Sequence, residues 1–141
     1  IPGDAPTQAE IGAALGDVNR ALDQAQEAVG LAGISTVVGL AGSVTTVTAY
    51  ALGLRSYDPS AIHLADLSVA DHQRAAAHLL GMARGDRASL GFMHPGRVDV
   101  IGAGALIWSE VLARVQASSP NVRVVTSEHD ILDGIALSLR D

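Results

Sequence analysis

Cysteine is missing from the 141 residues, lysine is missing too, and aromatic side chains make up only 3%. Without cysteine there are no disulfides, no thiolate metal sites and no cysteine nucleophile. Without lysine all nine cations are arginines, so a Walker-type loop, whose lysine reaches the phosphates, is excluded. Few aromatics leave no stacking platform for single strands, and a net charge of −6 without a basic stripe argues against nucleic acid as a partner. No stretch approaches the ~20 uninterrupted apolar residues of a membrane span, and the basic-then-apolar order of a secretion signal is absent. No membrane partner is expected, and the expected location is cytoplasmic. The first residue is Ile1 rather than Met, which reads as a processed chain or an excised piece.

What is present is 48% hydrophobic and 17% charged, enough for one globular domain with a core of its own. In residues 1–30 Asp4, Glu10, Asp17, Asp23 and Glu27 face Arg20 alone, a net −4. After an aperiodic leader over residues 1–6, Thr7 and Glu10 form a capping box. Ile11, Leu15, Val18, Leu22, Ala25 and Val29 then recur at spacings of three and four, so a helix is expected over residues 8–29, ended by Gly30. Strands are expected at 31–40, 62–69 and 122–126. Helices are expected at 43–52, 69–82 and 99–115, the last as one helix or a pair, and from the Ser127/Asp130 cap to 139. Asp58-Pro59 marks a single helical turn, as does 84–90, and His94-Pro95-Gly96-Arg97 a turn. The helix at 69–82 should bury Ala75, Leu79 and Met82 and leave His72 and Arg74 solvated. Val37, Leu40, Leu106 and Ile135 are expected core positions. Strands interleaved with helices imply an α/β layered fold.

The chain is organised around Ile34-Ser35-Thr36-Val37-Val38-Gly39-Leu40-Ala41-Gly42-Ser43-Val44-Thr45-Thr46-Val47-Thr48. A β-branched run that passes into Gly, Gly, Ser and Thr and then into a second apolar run reads as strand, tight loop, helix. Glycines permit positive φ and close approach, and the helix start offers free N–H groups and the positive end of its dipole, so the junction can hold an anion. Ser43 and Thr45 would add hydroxyls. The same pattern also serves as an ordinary turn with Ser43 as N-cap. Gly102 and Gly104, inside an apolar helix, imply either tight helix packing or a ligand passing over that surface. No catalytic constellation emerges. The five histidines form no metal-binding pair, Ser43 lacks a nucleophile elbow, and no metal site made wholly by this chain is expected.

Gly39-Leu40-Ala41-Gly42-Ser43-Val44-Thr45-Thr46, His94-Pro95-Gly96-Arg97-Val98-Asp99-Val100-Ile101-Gly102-Ala103-Gly104-Ala105 and Ser127-Glu128-His129-Asp130-Ile131-Leu132-Asp133-Gly134-Ile135 resemble, in order and spacing, the Ppx/GppA family of exopolyphosphatases and guanosine pentaphosphate phosphohydrolases, particularly its short actinobacterial members. The resemblance implies a ribonuclease H-like, actin-like ATPase lobe of the actin, sugar kinase and heat-shock chaperone type, three-layered with a small mixed sheet. It implies that residues 1–141 are the C-terminal lobe of a two-lobed phosphatase, with the catalytic Glu and first phosphate loop on the N-terminal lobe, which is a partner. Gly42, Ser43, Val44 and Thr45 match the second phosphate loop, Arg97 an arginine near the cleft, and Gly102 and Gly104 a region bordering a nucleotide. Many members carry Leu-Arg-Glu-Gly where this chain has Ile131-Leu132-Asp133-Gly134, so the Arg is missing at Leu132. The implied activity is phosphoanhydride hydrolysis with Mg²⁺ or Mn²⁺ in the full enzyme, on polyphosphate, or alternatively on (p)ppGpp or another nucleotide. A stand-alone binding module is the rival class. Alone, the chain is expected to fold without hydrolysing polyphosphate. The apolar face left toward the other lobe makes a homodimer a candidate state, and Glu128 is the first acid to test as base should the chain turn over unaided.

Overall fold

Thr7 accepts the Glu10 N–H while the Glu10 carboxylate accepts the Thr7 N–H, and this reciprocal cap opens α1, Gln8–Val29. The computed structural model describes residues 5–140; residues 1–4, most of the expected leader, and residue 141 lie outside it. After α1 come β1 (Thr36–Gly39), α2 (Gly42–Ala51), α3 (Pro59–Ile62), α4 (Val69–Gly81), α5 (Arg84–Ala88), a 3₁₀ turn (Pro95–Arg97), α6 (Ile101–Ser118), β2 (Arg123–Thr126) and α7 (Ile131–Ser138). The strands run parallel, with Thr36 opposite Arg123 and Gly39 opposite Thr126. A parallel pair needs a crossover, and α2 to α6 provide it. No helix among the described residues is long and apolar enough to cross a membrane.

The α/β class holds, with a smaller sheet than the apolar runs implied. The expected strand at 31–40 shrinks to four residues, because Gly30 and Gly33 adopt positive φ and turn the chain just before it. The candidate at 62–69 is not a strand. Leu64 takes φ 63° there, and only Asp66 makes one antiparallel bridge, to Val125. The antiparallel part of the expected mixed sheet is that single bridge. Of the two alternatives expected at 99–115, one helix or a pair, the chain forms one continuous helix, α6. The last helix is capped by Asp130, whose carboxylate accepts the Leu132 N–H while Asp133 returns the bond, rather than by Ser127.

The core lies where α2, α4 and α6 meet, around Val47, Ile62, Leu79, Ile101, Leu112 and Val124. Two expected core positions are surface. Leu40 and Ile135 are about half exposed, and the apolar row of α7 lies open, with Ile131 at 74% and Leu139 at 78% exposure. Val37 and Leu106 are half-buried. α1 buries no residue and is held to α6 by Arg114, which reaches Asp23 at 2.6 Å and Asn19 Oδ1 at 3.0 Å. Three buried threonines are tolerated in α2 because their hydroxyls donate back to carbonyls one turn earlier. Thr45 and Thr46 donate to Gly42 C=O, and Thr48 donates to Val44 C=O and meets Thr126 Oγ1 at 2.7 Å.

His72 is not on the solvated face of α4. It is fully buried, while Arg74, two residues on, is exposed. Desolvation holds the imidazole below its ordinary pKa of 6.5, against the opposing pull of Asp71. Between that lowered value and 6.5 the unfolded chain takes up a proton that the folded chain refuses. The stability tied to a neutral His72 is therefore complete above about pH 6.5 and is lost as the pH falls below it, with a limiting slope of about 1.4 kcal/mol per pH unit. Denaturant unfolding at pH 7.5 and 5.5 should show a larger loss in the unaltered chain than in His72→Gln; equal losses would show that His72 does not set the acid limit.

Candidate functional site

The turn between β1 and α2 takes its shape from Ala41 rather than from a glycine. Ala41 sits at φ 71°, the left-handed region, and is the N-cap residue of α2. The neighbouring glycines serve close approach instead. A Cβ on Gly42 would stand 1.6 Å from Cζ of Arg97 and 1.8 Å from both of its Nη atoms, so the guanidinium occupies the space that a side chain would fill. At Gly39 a Cβ would meet Trp108 Cη2 and Val44 Cγ1 at 2.7 Å.

The first turn of α2 has no side-chain cap. Thr45 makes the first backbone bond, to Ala41 C=O at 3.1 Å. The free donors of a helix start are thus the N–H groups of Gly42, Ser43 and Val44, and the expected donor at Thr45 is already spent. Ser43 is placed differently from the expectation. Its Oγ would stand 2.2 Å from a Cβ on Gly104, so the hydroxyl is turned onto α6 and lines no part of the cleft. Gly104 is where α2 lies closest to α6, and Gly102 makes room for the buried Arg87, whose Nη2 would be 2.9 Å from a Cβ there. Both glycines are accounted for by packing, and neither borders the cleft that Gly42 lines.

That cleft has a volume of about 470 Å³ and is lined by Ala41, Gly42, Thr45 and Thr46 of the turn and α2, by His94 and Arg97, by Phe92 and Met93, and by Tyr57, Glu128 and Asp130. His94 opens the 3₁₀ turn by accepting the Gly96 N–H on Nδ1 at 3.0 Å, and this delivers Arg97 to Gly42. Arg97 is half-buried, and among the described residues no carboxylate lies within ion-pairing distance of it. Tyr57 reaches the cleft because Gly91 lets backbone in: a Cβ on Gly91 would stand 1.9 Å from the Arg55 carbonyl oxygen. Its phenol donates to Glu128 Oε1 at 2.5 Å. Burial, with the Glu128 bond and charge behind it, pushes the phenol pKa up, while Thr45 and Arg97 act the other way, so Tyr57 stays protonated at neutral pH and remains the donor. The Glu128 backbone N–H is held by His63 Nδ1 at 3.0 Å, and His63 packs edge-on against His129.

The structure thus brings Gly42, Thr45 and Arg97 together at one cleft, with the Ser43 and Val44 amides in its helix start and their side chains elsewhere. Tyr57, Gly91, His94 and Asp130 were not singled out from sequence. Tyr57 and Gly91 lie in irregular segments with no periodic signal, and His94 and Asp130 read only as turn and cap residues. Among the described residues no three His, Asp or Glu side chains gather closely enough to hold a metal ion. Glu128 and Asp130, the two acids of the cleft, are already engaged by Tyr57 OH and the Leu132 N–H. The described residues alone do not make a complete Mg²⁺ or Mn²⁺ site.

Parallel strands joined through helices, with an uncapped helix start and a guanidinium seated against it at the edge of a cleft, define an α/β lobe with an open site at its strand-to-helix turn. The chain belongs to the Ppx/GppA phosphatase family, whose profile matches residues 1–139. It is 44% identical over 136 residues to exopolyphosphatase 2 of Mycobacterium tuberculosis (strain H37Rv), a match covering 96% of this chain and 43% of that protein. A crystal structure of an exopolyphosphatase-like protein superposes with a TM-score of 0.91 at 39% identity, over 96% of this chain and 44% of the other. The Aquifex aeolicus Ppx/GppA phosphatase, type II variant, superposes with a TM-score of 0.78 at 20% identity, over all of this chain and 44% of its own, a likeness of fold. The chain spans about 43% of the length of the curated relatives it matches.

Proposed function

We propose that this chain supplies the second phosphate-binding wall of an exopolyphosphatase-type hydrolase, holding terminal phosphate groups of inorganic polyphosphate while a phosphoanhydride bond is broken. The observation that carries the reading is the seat of Arg97: a half-buried guanidinium with no carboxylate partner among the described residues, laid against Gly42 at a helix start with free N–H groups. Phosphoryl transfer asks little covalent chemistry of a protein and much positioning. Charge on the non-bridging oxygens is offset by oriented amides and a guanidinium, which need no reorganisation during the reaction. The amides of Gly42, Ser43 and Val44 and the fork of Arg97 fit that task. Glu128 and Asp130, which line the same cleft, repel a bare polyanion and so favour the Arg97 end of it.

The test is pyrophosphate and tripolyphosphate binding by calorimetry at low and high salt, with phosphate release measured alongside. Arg97→Ala should weaken binding and flatten its salt dependence, because a guanidinium contact to phosphate is charge-assisted and screened. The 141-residue chain alone is expected to bind without turning over, since its cleft brings no base with a free carboxylate. A salt profile in Arg97→Ala identical to the parent would remove Arg97 from the site. Turnover by the chain alone would make Glu128 the base.

A further inference from the structure

His72 Nε2 is the buried side-chain polar atom without a hydrogen-bond partner among the described residues. The ring lies between α4 and α6, edge-on to Trp108 with centroids 5.8 Å apart and planes at 87°. Its Nδ1 accepts the indole Nε1–H at 3.2 Å. The indole nitrogen can only donate, so Nδ1 is the bare nitrogen and the proton sits on Nε2. A pair serving the core alone could be apolar on both sides at little loss of stability. This pair does something further, because it fixes the tilt of the indole, and the far edge of the indole reaches the cleft turn. Trp108 Cη2 and Cζ2 lie where a Gly39 side chain would be, at 2.7 and 2.8 Å from its Cβ position. Gly39 ends β1, two residues before the left-handed Ala41 and three before the seat of Arg97.

We infer that His72 and Trp108 are positioning residues for the anion-receiving turn: the neutral imidazole holds the indole under Gly39, and an imidazolium, with two N–H donors and no acceptor, lets it go. The functional half of this inference rests on the proposed anion site; the geometric half does not. The charges around the ring leave the neutral form in place at neutral pH. On α4 itself Asp71 favours the imidazolium, but it is paired with Arg74, and burial outweighs it. α2 brings only Tyr50, bonded to His78, and α6 brings Glu110 and Arg114, the latter bound to Asp23; Asp71 is the charge that acts on the ring.

Trp108 is the single tryptophan, so its emission reads the pair directly, and the ¹⁵N amide shifts of Gly39, Gly42 and Ser43 read the turn, both without ligand. Between about pH 5 and pH 8 the unaltered chain should show one common midpoint in emission and in all three amides, below the ordinary histidine value. His72→Gln keeps an acceptor for the indole and cannot titrate, so both signals should lose that midpoint. Trp108→Phe keeps a ring without an N–H and should uncouple the amides from His72. Calorimetric pyrophosphate titrations compare the unaltered chain with His72→Gln at each pH, so that protonation of pyrophosphate itself cancels; the affinity ratio should fall at least about threefold on the acid side. A missing common midpoint, or amide shifts that titrate identically in His72→Gln, overturns the inference whatever pyrophosphate does. If the amides follow His72 and pyrophosphate binds neither protein, the positioning role stands and the anion reading falls. Should His72→Gln not unfold cooperatively, the coincidence of midpoints in the unaltered chain and its loss in Trp108→Phe decide the matter.

Discussion

Gly42→Val is expected to lower pyrophosphate affinity by about one to two orders of magnitude while leaving the chain folded. The new Cβ would lie 1.6 Å from the Arg97 guanidinium carbon. The three nearest atoms it would meet all belong to that flexible side chain, so the guanidinium is what moves. A charge-assisted hydrogen bond contributes about 1.5–3 kcal/mol, and losing one converts to roughly a ten- to hundredfold fall in affinity. The helix itself loses little, since valine for glycine within it is close to neutral or better in propensity. If Gly42→Val acts by unseating Arg97, it should add little on an Arg97→Ala background. Calorimetry on the parent, the two single variants and the double variant measures this. Full additivity, or an unchanged affinity in Gly42→Val with the unfolding transition intact, would separate Gly42 from Arg97 and leave the turn a structural one.

Arg87→Ala is expected to destabilise the fold by on the order of 2–3 kcal/mol, lowering the unfolding midpoint by roughly 5–10 °C. Arg87 is only 7% exposed. Its Nε donates to Leu79 C=O at 2.9 Å and its Nη2 to Leu80 C=O at 3.0 Å, carbonyls of the last turn of α4 that have no partner within the helix. Nη1 approaches Val98 C=O at 3.5 Å, just ahead of α6. One guanidinium therefore ends α4 and joins it to the segment that carries Arg97. Truncation leaves buried carbonyls without donors, where the full desolvation cost applies. Arg87→Lys should recover little, because an ammonium cannot present the planar fork that reaches carbonyls in different directions. Thermal unfolding followed by circular dichroism checks both variants, and a midpoint within about 1 °C of the parent in Arg87→Ala would show the guanidinium to be dispensable.

Local signals in the chain located most of the elements correctly. The Thr7/Glu10 cap, the Asp58-Pro59 start and the period of α1 depend on residues three or four apart, and such contacts form whatever the rest of the molecule does. The candidate site was legible to the same depth. Gly42 and the helix start were visible because a strand–glycine–helix junction is local, and Arg97 was visible through the resemblance in its motif. Where local reading failed, a distant neighbour had intervened. Residues 62–69 look like a strand, yet the turn at Leu64 leaves room only for the Asp66 bridge to Val125. His72 has the spacing of a surface residue, and the indole of Trp108, 36 positions away, draws it in.

By itself the sequence determined the class of the fold and the junction with free helix-start amides, because composition, periodicity and turn chemistry act over a few residues, and the order and spacing of its motifs carried the family resemblance. Only the tertiary structure decided that the Arg97 guanidinium lies directly against Gly42, that Ala41 rather than a glycine bears the left-handed turn, and that Gly102 and Gly104 serve packing against Arg87 and Ser43. It alone brought Tyr57 and Glu128 together in the cleft, 71 positions apart in the chain. The physical reason is common to all of these. Burial and hydrogen-bond satisfaction depend on atoms brought together from distant parts of the chain, and the desolvation cost of an unmet polar group then selects among side chains that local pattern leaves equivalent.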